Sequence, residues 1–128
     1  MTGNRTKKSR KGQVREKTIE QKLFTAVRDR GGIALKLASP GFTGLPDRLV
    51  LLPGGHVGFV EVKAPGKKPR VLQLMRLEFL SRLGFRVYVL DDPERIDAVI
   101  SGILNHPRQE AEGGLEGDRK ALQGKENG

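Results

Sequence analysis

Apolar residues recur along this chain with two periods, and the switches between them mark its elements. From Val14 to Asp29, the residues Ile19, Leu23, Ala26 and Val27 follow three- and four-residue steps, which predicts a helix with one face on a core. Gly31-Gly32 ends it, because glycine accepts the left-handed conformation of a helix C-terminus. Ile33-Ala34-Leu35-Lys36-Leu37 alternates and reads as a strand. The Gly- and Pro-rich run Ala38 to Pro46 is a loop. Asp47 to Leu52 and His56 to Lys63 read as strands on either side of the tight turn Pro53-Gly54-Gly55, and so form a hairpin. Val71 to Leu83 returns to a helical period and stops at Gly84. Phe85 to Leu90 is a fourth strand. Asp92-Pro93 then offers an N-cap and a first-turn proline for a short helix to about Ser101.

The hairpin makes the middle strands antiparallel, whereas the helix between Lys63 and Phe85 permits a crossover to a parallel neighbour. The expected class is α/β, a mixed sheet flanked by helices, in one domain over residues 14–104. Residues 1–13 lack a hydrophobic period and are expected to form a disordered basic arm. Residues 105–128 are rich in Gly, Glu and Gln and are expected to form a disordered tail.

Composition narrows the chemistry. The 128 residues include no cysteine, so disulfides and thiolate metal sites are excluded. No apolar run approaches a membrane span, and the basic N-terminus lacks the apolar stretch of a secretory signal, so a cytoplasmic protein is expected. The net charge of +9 is unevenly spread: +6 over residues 1–17, +4 over 18–104 and −1 over 105–128. A basic arm on a mildly basic body suits a polyanionic partner, although a solubilising tail has the same charge.

The segment GFVEVKAPGKKPR from Gly58 to Arg70 sharpens this. A charge in a buried strand needs something to offset its desolvation. Side chains alternate along a strand, so Glu61 and Lys63 share one face and Val60 and Val62 the other. The turn brings Asp47 back toward Glu61 and Lys63. Two carboxylates and an ammonium then converge at one end of a hairpin, as a surface ion-pair cluster or as a site for a hard divalent cation. Such an ion lowers the pKa of a water and withdraws charge from a phosphate. Lys67, Lys68 and Arg70 follow directly and read as a phosphate-binding edge. Lys36 and Arg48 flank the motif and could touch a polyanion too, although Arg48 could equally pair with a local acid. Ser39 has no evident histidine and acid partners, and no nucleotide-triphosphate loop is present.

Gly44-Leu45-Pro46-Asp47 followed by Glu61-Val62-Lys63 resembles the PD-(D/E)XK nuclease pattern. Together with Ser39-Pro40-Gly41, Leu52-Pro53-Gly54-Gly55, Ala64-Pro65-Gly66, Gln73 and Leu83 to Tyr88, it is similar to the virus-type replication-repair nuclease domain, VRR-NUC, over about Glu16 to Ile103. The resemblance implies a restriction-endonuclease-like αβββαβ core and cleavage of DNA phosphodiesters with Mg2+ or Mn2+. By position it makes Asp47 and Glu61 metal-binding acids, Lys63 the catalytic lysine and the Val62 carbonyl a further ligand. Glu20 matches the acid of the first helix, with Glu16 one turn earlier as its competitor. Gln73 matches a glutamine at the start of the second helix, where the plain alternative is a surface amide. The resemblance further implies a phage origin, action on branched DNA such as Holliday junctions, and a homodimer. The many apolar positions of the second helix, Leu72, Leu74, Met75, Leu77, Phe79, Leu80 and Leu83, could supply the dimer contact, or could all be buried against the sheet. A DNA-binding accessory protein that keeps the fold without turnover is the competing function.

Overall fold

The computed structural model describes the backbone of residues 3–106 and the side chains from Arg15 onward. Four strands form a mixed sheet in the order β1 (Ile33–Lys36), β2 (Arg48–Leu52), β3 (His56–Val62) and β4 (Arg86–Leu90). β1, β2 and β3 pair antiparallel, and β4 runs parallel to β3. Helix α1 (Gly3–Asp29) precedes the sheet and α2 (Val71–Arg82) makes the crossover between the parallel pair. A 3-10 turn (Pro93–Arg95) leads into α3 (Ile96–Leu104). This is the α/β fold expected, with a mixed sheet between helices.

The core lies on one face of the sheet. Ile19, Leu23 and Val27 of α1 and Ile96, Val99, Ile100 and Ile103 of α3 close over Ala34, Val50, Leu52, Val60, Val62 and Leu90. The alternation that put Val60 and Val62 on one side of β3 is thus the pattern of the core itself. Both main helix ends use the same device. Gly31, at a φ of 82°, donates to the Arg28 carbonyl while Gly32 donates to Val27. Gly84 and Phe85 repeat this on Ser81 and Leu80, so each helix ends with its last carbonyls satisfied. Asp92 caps the 3-10 turn by accepting from the Glu94 amide, and the helix it leads into runs on to Leu104.

The other face of the sheet is covered more thinly. Of the apolar residues of α2 only Leu77 and Leu80 are buried, whereas Val71, Leu72, Leu74, Met75 and Phe79 are exposed. The second helix is therefore not enclosed between sheet and neighbours, and it keeps an apolar outer face.

At the N-terminal end, α1 runs from Gly3, whereas the helical period of the sequence starts at Val14; residues 1–2 lie outside the described residues. Lys, Arg, Gln and Glu are good helix formers, and a helix already fixed by its packed half extends at little cost. The tail expected from 105 onward lies outside the described residues except for Asn105 and His106.

Candidate active site

The hairpin register sets the site. Arg48 pairs with Val60, so Asp47, just before β2, lies beside the end of β3. Its Oδ2 accepts the Val62 amide at 2.8 Å, which ties the acid to the strand carrying Glu61. Glu61 faces away from the core, toward α2, and is 1% exposed. The Gln73 side-chain amide of α2 donates to Glu61 Oε1 at 3.4 Å, and Lys63 Nζ stands 3.7 Å from the same oxygen. Gln73 also accepts the Arg70 amide at 2.8 Å with its own oxygen. It therefore joins the start of α2 to the buried acid, a more specific role than that of a surface amide.

Glu61 Oε2 is buried with no hydrogen-bond donor to serve it while both acids are ionised. Burial raises the Glu61 pKa most. The Asp47 carboxylate adds to it, by hydrogen bonding and by charge, and the more distant Glu16 adds a smaller push. Lys63 pulls the other way, and the outcome is a value of about 8. Without a cation the site therefore holds a proton at neutral pH.

The first-helix acids divide differently from the preference for Glu20. Glu20 Oε1 accepts Arg48 Nε at 2.8 Å, and Arg48 also donates to the Ala34 carbonyl and sits 5.9 Å from the Phe24 ring centroid. Glu20 is committed to Arg48, and the Arg48 side chain is only 17% exposed. Arg48 thus takes the local-acid alternative and is not presented as a contact for a polyanion. Glu16 is the first-helix acid whose charge reaches Glu61. The sequence carried the signal: Glu16, Ile19, Leu23 and Val27 form one helical stripe of three- and four-residue steps, which directs Glu16 toward the sheet. Lys36, Lys67, Lys68 and Arg70 are exposed.

Among the described residues, no three His, Cys, Asp or Glu side chains cluster tightly enough to form a metal site by themselves. Yet the local chemistry fits a hard divalent cation. The donors are all carboxylate oxygens, two acids adjoin, and one buried oxygen lacks any other partner. A cation there would supply the charge that a proton supplies otherwise.

No protein-family model matches the chain. Its sequence is 52% identical over 81 residues to "Putative nuclease p44" of Acyrthosiphon pisum secondary endosymbiont phage 1, over 63% of this chain and 87% of that protein. A solved VRR_NUC domain is similar with a TM-score of 0.64 and 32% sequence identity, covering 68% of this chain and 95% of that one.

The raised Glu61 pKa makes metal-free stability depend on pH. Below about 4.5 the folded and unfolded chains both carry this proton and the group has no effect. Between 4.5 and about 8 the unfolded chain releases the proton while the folded chain keeps it, so stability falls as pH rises. Glu61→Gln should remove that slope and stabilise the metal-free protein at pH 8, by on the order of a few kcal/mol. Thermal melts in EDTA at pH 4.5 and pH 8 check this. An unchanged slope in the variant contradicts the assignment.

Proposed function

The chain belongs to the VRR-NUC nuclease family, and from that premise we propose that it is a Mg2+- or Mn2+-dependent endodeoxyribonuclease that cuts branched DNA as a homodimer. One observation carries the reading: a fully buried carboxyl, Glu61, has an unpartnered oxygen and lies beside a second acid, a lysine and a glutamine from separate segments. A protein that only binds DNA gains nothing from burying acids at its contact surface.

Asp47 and Glu61 would hold the divalent ion, with Glu16 in place of Glu20 as the acid of the first helix and the Val62 carbonyl as a further oxygen. When bound, the ion lowers the pKa of an attacking water and draws charge off the phosphate. The residues of the chain do the rest. The Lys63 side chain, 15% exposed, stands beside Glu61 at the edge of the site. There it orients the water or offsets charge on a nonbridging phosphate oxygen. Gln73 holds Oε1 of Glu61 and so leaves Oε2 as the free donor. Removal of the ion leaves acids that repel each other, which fits the proton held by Glu61.

Lys36, Lys67, Lys68 and Arg70 are exposed near the site and are proposed to track DNA phosphates. The apolar outer face of α2 supports association between two copies, because exposed patches of this kind mark interaction surfaces. Two sites on one symmetric dimer suit the paired strands of a junction. The phage relative supports a role on DNA in the cytoplasm of an infected cell.

Three outcomes test the reading. Asp47→Ala, Glu61→Ala and Glu16→Gln should each lower Mn2+-supported cleavage of a four-way junction, by about a hundredfold or more for the first two, whereas Glu20→Gln should cost mainly stability. Equal activity of Glu61→Ala and the unaltered protein would sink the assignment. Replacing Lys67, Lys68 and Arg70 together by Ala should weaken binding to every DNA tested and flatten its salt dependence by about two to three in log–log slope. An unchanged slope removes this loop from the interface. Finally, light scattering at micromolar concentration should give the dimer mass, and Phe79→Asp the monomer mass; a monomer throughout excludes the proposed assembly.

A further inference from the structure

α2 carries Gln73, which reaches Glu61, yet its grip on the sheet is slight, with only Leu77 and Leu80 buried. Something besides apolar packing must fix where this helix sits. Arg76 lies one turn beyond Gln73 on the same side of the helix. Its guanidinium carbon stacks 3.8 Å from the centroid of the Phe42 ring, and its Nε donates to the Thr43 carbonyl at 2.9 Å. Both partners belong to the loop that runs through Gly44, Leu45 and Pro46 into Asp47. The loop lies close against the helix there: a Cβ added to Gly44 would meet Leu72 Cγ at 2.8 Å. Leu37 and Asp47 close the neck of the loop by a backbone bond of 2.8 Å, so its base belongs to the sheet and its tip to α2.

We infer that Arg76 is a positioning residue: stacked on Phe42 and bonded to the Thr43 carbonyl, it pins α2 to the loop that delivers Asp47. It thereby sets the Gln73–Glu61 pair against the Asp47 carboxylate. The inference deepens the nuclease reading and rests on it for its catalytic consequence. A planar guanidinium can stack and donate from Nε at once. An ammonium keeps the charge but has neither the flat face nor the directed donor. Without the clamp, α2 is free to shift along the sheet, and displacements well under a helical turn are enough to spoil a site built from several segments.

The test compares the unaltered protein with Arg76→Ala, Arg76→Lys, Phe42→Ala and the Arg76→Ala/Phe42→Ala double variant. NMR of the Gln73 side-chain amide and of the Val62 backbone amide reports the two contacts that the clamp aligns, with no need for activity. In Arg76→Ala and Phe42→Ala the Gln73 signal should move toward that of a free amide, and Val62 should exchange faster. Val50 and Val60 in the core should keep their protection. Single-turnover junction cleavage at saturating Mn2+ should fall about tenfold in each single variant and no further in the double, because both side chains form one clamp. Arg76→Lys should not restore the rate. Unchanged Gln73 and Val62 signals in Arg76→Ala, full rescue by lysine, or losses that multiply in the double variant each overturn the inference. If the unaltered protein neither cuts DNA nor binds Mn2+, the nuclease reading fails, and the Gln73 and Val62 signals still decide the clamp.

Discussion

The structure around the site depends on a single unfavourable burial. Glu61 sits in the middle layer of the protein with almost no exposure, and its partners do not fully compensate it. Gln73 and Lys63 both address Oε1, and Oε2 has no partner. Asp47 is drawn toward the same place by the Val62 amide, which adds a second negative charge where one is already costly. A well-packed apolar side chain on β3 would give a more stable sheet. The arrangement is understandable when a cation or a proton completes it. Each neighbouring segment then contributes one group to that centre: Asp47 from the residue just before β2, Lys63 from the residue just after β3, and Gln73 from the first turn of α2.

The same electrostatic constraint separates two kinds of cation. Arg48 lies on the core side of β2, where its guanidinium could not remain unpaired. Glu20, the Ala34 carbonyl and the Phe24 ring satisfy it. That triangle fastens α1 to the hairpin and places Glu16, a turn away, where its charge reaches Glu61. Lys67, Lys68 and Arg70 have no such surroundings and stay in solvent, available to a polyanion. Proximity to the motif in sequence did not distinguish the groups; burial did, with Arg48 turned into the core side of β2 and the others in the exposed loop after β3.

Much of this was legible in the residues because periodicity and turn chemistry are local. The alternation of Val60, Glu61 and Val62, the Pro53-Gly54-Gly55 turn and the paired glycines at 31–32 led directly to the sheet, its register and the end of α1. Asp47, Glu61 and Lys63 came together as the hairpin required, whereas Gln73 was marked only by the family resemblance. The choice between Glu16 and Glu20 turns on how the helix is oriented, and a pattern used only to locate the helix leaves that open. Once Ile19, Leu23 and Val27 define the buried stripe, Glu16 falls on it and Glu20 beside it. The start of α1 is not legible because its first half has no apolar period. The Arg76–Phe42 contact joins residues far apart in sequence, and no local pattern announces it.

α2 brings these strands together because its two sides have different duties. Gln73 and Arg76 look toward the acids and the Asp47 loop, whereas Leu74, Met75 and Phe79 are exposed on the outside. Two buried leucines and a cation stack hold this helix, so a partner pressed against its outer face would act on the same body that carries Gln73 to Glu61. Were two copies to pair through this face, association and site geometry would be linked. A second copy on that face would bury apolar surface and, in the same step, restrict the element on which the buried carboxyl relies.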